Sequence, residues 1–302
     1  MPHRSRLRVC LVDMNNGFAN QATRCFRRLV DSFTAQVREK NPTLDVAFKH
    51  VQPRNLNELP DHDTDLVLAS GGPGAPTDGY DDPWCTGYRK FLDHIVDRNL
   101  ATPATAPQMF VVCHSFELAT LHFAVAKMEK RASCKFGLMP AYMTPEGAQT
   151  EWLSPFGYRI FAFEHRNWEA IDVDTTRLAS LGGAVLANET HTGGVDKGKA
   201  ILAMRFAPGI GGTQFHPEAD APGVLDWVER PESKAALAEA YGVFLLERMQ
   251  KSLKDPERLA KTYALCIPRW LSFRFNELAR DRGWNEISPP EQVDLAAWRA
   301  VG

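Results

Sequence analysis

The chain has 302 residues, 44% hydrophobic and 24% charged, ordinary values for a globular protein long enough to bury a sizeable core. Its 35 Lys and Arg against 37 Asp and Glu leave a net charge of −2, which argues against a general electrostatic grip on nucleic acid or an acidic membrane. No apolar run reaches the about 18 residues of a membrane helix, the basic start MPHRSRLR lacks a signal-peptide core, and the six cysteines form no CxxC pair. The expectation is a soluble, cytoplasmic protein with reduced thiols.

Along the first half, short apolar runs alternate with longer amphipathic ones. Leu7 to Val12 reads as a buried strand, and Gln21 to Arg38 as a helix carrying Cys25, Leu29, Val30, Phe33 and Val37 at helical spacing. Leu44 to Val51 and Leu66 to Ala69 read as strands, the second running into Ser70-Gly71-Gly72-Pro73-Gly74. A helix over Trp84 to Asp97 follows, then a strand over Met109 to Val112, then a helical pattern from Cys113 to about Met128. This alternation implies an α/β fold with a parallel sheet covered on both faces. From Cys134 to Phe215 the pattern breaks into short pieces (Arg159 to Phe163, Ala184 to Asn188, Ala200 to Phe206), which predicts a mixed or antiparallel extension of the same sheet. Residues 232–252 and 255–281 read as two helices, and the Pro289-Pro290 tail as loosely held. The arginines of that segment, Arg269, Arg274, Arg280 and Arg282, read as a solvated face. The expected organisation is one α/β domain over residues 1–220 and a helical C-terminal extension over 221–302 packed on it.

Three segments carry candidate chemistry. Cys113 sits where an apolar strand meets a helix, so its side chain projects beyond the carboxyl edge of the sheet, where ligands of open α/β sheets bind. The N-terminus of the following helix favours a thiolate there, in the same strand–turn–helix arrangement as a hydrolase nucleophile elbow. In Gln214-Phe215-His216-Pro217-Glu218 the proline biases its predecessor towards extended backbone. His216 and Glu218 then point the same way, as a base and the carboxylate that orients it. The glycines after Ser70 let backbone N–H groups approach a substrate, as an oxyanion hole requires. Neither a Walker lysine nor GxGxxG accompanies them, so a phosphate loop is excluded.

The order Ser70-Gly71-Gly72-Pro73-Gly74, a cysteine after a strand, then Gln214 to Glu218 resembles the class I (Cys-His-Glu triad) glutamine amidotransferases, and among them most the amidotransferase domain of GMP synthases. The resemblance spans roughly residues 6–220 and implies a flavodoxin-like, open and mostly parallel sheet. It implies Cys113 as nucleophile, His216 as base, Glu218 as its partner, and the N–H groups of Gly72 and His114 as oxyanion donors. Glutamine would form a γ-glutamyl thioester on Cys113 and release ammonia. Glu164-His165-Arg166-Asn167 falls where the family has Ser-His-x-Asp beside the bound glutamine, so His165 and Asn167 are substrate-binding candidates. The family elbow Gly-x-Cys-x-Gly-x-Gln appears here with Val111 for its first glycine, Ser115 for its second and Glu117 for its glutamine. Glu117 offers only acceptors where the family's glutamine also donates. It implies a cationic substrate group there, or a γ-glutamyl compound other than free glutamine, or else a side chain turned to solvent with glutamine as substrate.

No metal-ligand spacing and no nucleotide fingerprint is found, so no cofactor is expected. Ammonia would pass to a separate synthetase partner. The alternatives are a free-standing hydrolase of another γ-glutamyl compound, an acyltransferase of the same layout, and a catalytically silent binding or regulatory subunit.

Overall fold

The computed structural model describes residues 6–18, 20–190, 200–253 and 255–293. The first five residues of the basic start lie outside it. The chain opens with β1 (Arg6–Val12), α1 (Gln21–Lys40), β2 (Asp45–Val51), the short α2 (Pro53–Leu56), β3 (Leu66–Ala69), α3 (Pro83–Ala101), β4 (Gln108–Val112) and α4 (His114–Phe123). β3 and β4 are buried at every position, as strands of a parallel sheet covered on both faces must be. α1 turns Phe26, Leu29, Val30 and Phe33 inward, and Asn20 caps its start by accepting from the Thr23 N–H at 3.1 Å.

The second half contributes β5 (Lys127–Met143), α5 (Pro145–Gln149), β6 (Arg159–Ile171), α6 (Thr175–Ser180), β7 (Ala184–Asn188), β8 (Ile201–Ala207) and β9 (Ile210–Thr213). Among the described residues, nine strands form one sheet in the order β2-β1-β3-β4-β9-β8-β7-β5-β6. The block β2-β1-β3-β4-β9 is parallel, and the remaining neighbours pair antiparallel. That parallel block has the flavodoxin-like strand order, whose chain reversal between β1 and β3 opens a crevice at the carboxyl ends of the strands.

Several sequence expectations change. The helix after Cys113 ends at Phe123, because Ala124 adopts a left-handed conformation (φ 50°), and Lys127 already begins β5. β5 and β6 form a long antiparallel pair whose register shifts between Lys130 and Lys135, so neither strand shows the clean alternation that would reveal it. Residues 232–252 form two helices, α8 (Pro231–Tyr241) and α9 (Val243–Leu253), preceded by α7 (Ala221–Glu229) and divided at Gly242 with φ 80°.

α10 (Lys261–Arg282) runs through Pro268 and buries Cys266, Ile267, Trp270, Leu271 and Phe275 in the same core cluster as Phe33 and Phe110. Trp270 meets Phe110 edge-on at 5.5 Å, and Phe275 meets Phe33 at 5.9 Å. The tail to residue 293 is pinned instead of loose: the Asn276 amide exchanges two hydrogen bonds with the Ile287 backbone, at 2.8 and 2.9 Å. Arg282 is likewise no surface residue, since it is buried and paired with Asp65 at 2.6 Å. Among the described residues, no helix is long and apolar enough to cross a membrane.

Candidate active site

Cys113 joins β4 to α4 with φ 51° and ψ −107°, a positive-φ conformation that a residue with a side chain adopts only under constraint. The constraint comes from both sides: its N–H donates to the Thr213 carbonyl at 2.9 Å, and its carbonyl accepts from the Glu117 N–H at 2.9 Å. This turn lifts the thiol off the strand end and sets it at the head of α4, where the helix's first N–H groups have no intrahelical partner. Val111 occupies the elbow position where a glycine is expected. Its neighbour across the ladder is Gly212 of β9, and a β-carbon on Gly212 would run into the Val111 carbonyl. The missing side chain is thus on the partner strand.

His216 follows β9 and pairs with β6 through its N–H to the Phe163 carbonyl at 2.8 Å. Its Nδ1 lies 2.8 Å from Oε1 of Glu218, whose side chain is 1% exposed. Burial opposes protonation of the imidazole, but the Glu218 carboxylate and the Cys113 sulfur outweigh it and hold the His216 pKa well above the ordinary histidine value. Burial pushes the Cys113 thiol up, and the adjacent His216 pulls against that rise. The two side chains flank the same glycine, Gly71.

The loop after β3 closes over this pair. A β-carbon on Gly71 would lie 2.8 Å from His216 Cε1 and 3.1 Å from Cys113 Cβ, and one on Gly72 would collide with the Met14 carbonyl. Only glycine backbone fits so close to both groups. Ser115, the second elbow replacement, is fully buried and donates its hydroxyl to the Ser70 carbonyl at 2.6 Å. Ser70 in turn accepts from the Met14 N–H at 2.9 Å and donates to the Gly71 carbonyl at 2.8 Å. The loops after β1, β3 and β4 are therefore tied through two serine hydroxyls.

Cys113, His216 and Glu218 line one cavity of about 510 Å³ together with Gly72, Glu117, His165 and Asn167. His114 is the exception: its ring is fully buried outside the cavity wall, leaving only its backbone near the site. Glu117 does not reach solvent. It is 3% exposed, its Oε1 accepts from Gln214 Nε2 at 2.9 Å, and its Oε2 stands 3.6 Å from His114 Nδ1. His165 borders the cavity between Phe136 (5.3 Å) and Trp227 (5.1 Å). His165 is exposed to solvent on one side of the cavity mouth, yet desolvation by the surrounding protein, and after it the nearby His216, pull its pKa down to about 4. Glu164, in contrast, turns away into a buried ion pair with Arg166 at 2.7 Å, which also meets Glu189 at 3.1 Å.

Several site residues escaped sequence reasoning. Asn15 is held against the cavity by Asp13, which accepts from the Asn15 N–H at 2.9 Å and the Asn15 amide at 2.7 Å. Asp220 caps α7 and pairs with Arg24 at 2.5 Å. Gln214, buried just past the end of β9, holds Glu117 through its side-chain amide. Among the described residues, no group of three or more His, Cys, Asp or Glu side chains could hold a metal ion.

No family model and no curated protein matches the chain. Solved structures do. A glutamine amidotransferase from Thermotoga maritima superposes with a TM-score of 0.56 at 13% identity, covering 91% of this chain and 97% of that one. A glutamine amidotransferase from Methylobacillus flagellatus superposes with a TM-score of 0.57 at 15% identity, covering 93% and 96%. The chain therefore has the α/β fold of these glutamine amidotransferases, the family that its sequence resembles.

Proposed function

We propose that the chain hydrolyses the side-chain amide of glutamine, or of a γ-glutamyl relative, through a thioester on Cys113. The observation that carries this reading is the strained Cys113 turn beside the His216–Glu218 pair, with Gly71 packed against both. The fold of the two named glutamine amidotransferases supports it.

In the proposed reaction the Cys113 sulfur attacks the amide carbon while His216 takes the thiol proton. The carbonyl oxygen becomes an oxyanion that accepts from the Gly72 and His114 N–H groups, each donor typically worth about 2.7–4 kcal/mol. His216, its imidazolium stabilised by Glu218, then protonates the leaving nitrogen as the C–N bond breaks. Water, deprotonated by His216, attacks the thioester, and glutamate leaves as the sulfur regains a proton. Glu117, His165 and Asn167 are the proposed substrate contacts. Residues 1–220 form the proposed catalytic unit and 221–302 its extension, with a separate synthetase partner as the acceptor of any ammonia released.

The test is release of glutamate and ammonia from glutamine by the full chain beside Cys113→Ala. Turnover that falls to background in the variant is the expected result. No turnover together with a Cys113 thiol inert to iodoacetamide at neutral pH would favour a silent binding subunit instead.

A further inference from the structure

We propose that the leaving group for which this site is built is an amine carrying an apolar substituent, so that the substrate is an N-substituted γ-glutamyl amide rather than glutamine itself. This deepens the hydrolase reading above and rests on it. The wall of the cavity next to the base carries the argument. The Phe163 ring lies 6.2 Å from the His216 ring, and Ala219 donates its N–H to the His216 carbonyl at 3.3 Å. Val224 and Trp227, one turn apart on α7, continue the same wall, and Phe136 braces it from behind at 5.5 Å from Phe163 and 5.4 Å from Trp227. His165 joins this surface as a neutral ring, because its pKa is drawn far below neutrality.

His216 is the group that hands a proton to the departing nitrogen, so that nitrogen sits at the imidazole edge when the C–N bond breaks. Whatever the nitrogen carries must start there and run along Phe163 towards Trp227. Ammonia has no apolar surface to remove from water, and an apolar wall at that place stabilises nothing in its departure. An aryl or alkyl group does have such surface, and aromatic side chains are its strongest partners. The cavity is also within the size range, roughly 300–1,000 Å³, of sites that enclose drug-sized ligands, at about 510 Å³. The balance of the step is unchanged. The S–C bond forms, the C–N bond breaks, the thiol proton goes to the amine, and water later splits the thioester to glutamate.

The experiment compares glutamine with its γ-benzylamide, whose leaving amine is close to ammonia in basicity, so the comparison reads the wall and not the leaving-group chemistry. Initial rates of glutamate release are measured for the full-length wild type, Cys113→Ala and Trp227→Ala, with thermal melts to check folding. Expected is a kcat/KM for the benzylamide about tenfold above that for glutamine. In folded Trp227→Ala that ratio drops about fivefold. A Cys113-dependent enzyme that cleaves glutamine as well as or better than the benzylamide overturns the inference and leaves the hydrolase reading intact. So does a ratio unchanged in folded Trp227→Ala. Cleavage of neither compound overturns the inference, and an inert Cys113 in the same preparation would then take the hydrolase reading with it.

Discussion

Glu117 and Glu218 both stand within electrostatic reach of the Cys113 thiol, yet they work on it by different routes. Glu117 acts directly, as a carboxylate one helical turn away that disfavours a second negative charge on sulfur. Glu218 also repels the thiolate, but weakly, and its larger effect is to hold charge on His216, which favours the thiolate. Opposite outcomes follow for two isosteric changes. In Glu218→Gln, His216 loses its countercharge, so the pH at half-maximal iodoacetamide labelling of Cys113 rises, by about one unit. In Glu117→Gln, which keeps an acceptor for Gln214, that pH falls and labelling at neutral pH quickens. Labelling profiles of the two variants check both signs, and a shift in the same direction would refute the assignment of routes. At this scale the meeting of Cys113, His216 and Glu218 in one cavity was legible, since Cys113 and His216 each follow a strand and the His-Pro-Glu order sets the last two side by side. The position of Glu117 was not: burial against Gln214 depends on two strand ends meeting, 97 residues apart in sequence.

The elements that hold these side chains are parallel strand ends, and what keeps their loops in register is a short hydrogen-bond chain. Ser115 on α4 holds the Ser70 carbonyl, and Ser70 holds the loop after β1. That chain sets how far the Gly71 and Gly72 backbone stands from the sulfur, and oxyanion stabilisation is sensitive to small displacements. Ser115→Ala leaves the buried Ser70 carbonyl without its partner and lets the loop relax. The expected result is a kcat lowered about tenfold at a nearly unchanged KM. Iodoacetamide labelling of Cys113 stays near the wild-type rate, because alkylation develops no oxyanion. Loss of both in parallel would mean that Ser115 serves only stability. The sequence told that Ser115 was small enough for an elbow but not that its hydroxyl was used. It was also silent on how Val111 fits, because the compensating glycine, Gly212, belongs to another strand. β5 and β6 were hidden for a related reason: their long pairing is set by each other and by a register shift, not by a local alternation.

At the scale of the molecule, α10 behaves as part of the sheet's cover. Phe275 is fully buried against Phe33 of α1 and Trp284 of the tail, at 5.9 Å in each case, in the cluster that also contains Phe110 of β4, the strand that leads into Cys113. The helix thereby shields one face of β4, and the tail locks the helix through Asn276. The helical period of residues 255–281 was readable in the sequence, but its burial was not, since arginines at intervals disguise a helix whose Arg282 pairs inside with Asp65. Phe244 on α9 is the contrasting case, an aromatic residue 76% exposed. Truncating a buried phenylalanine costs its transfer free energy and leaves a cavity, so Phe275→Ala should lower unfolding stability by about 3–5 kcal/mol. Phe244→Ser should change it by no more than about 0.5 kcal/mol. Urea unfolding followed by tryptophan fluorescence measures both. Should Phe275→Ala unfold at the wild-type urea concentration, α10 would be an appendage that the sheet does not need. A large loss would make residues 261–282 as much a support of the Cys113 turn as the strands themselves, because β4 could not keep its buried register with one face open to water.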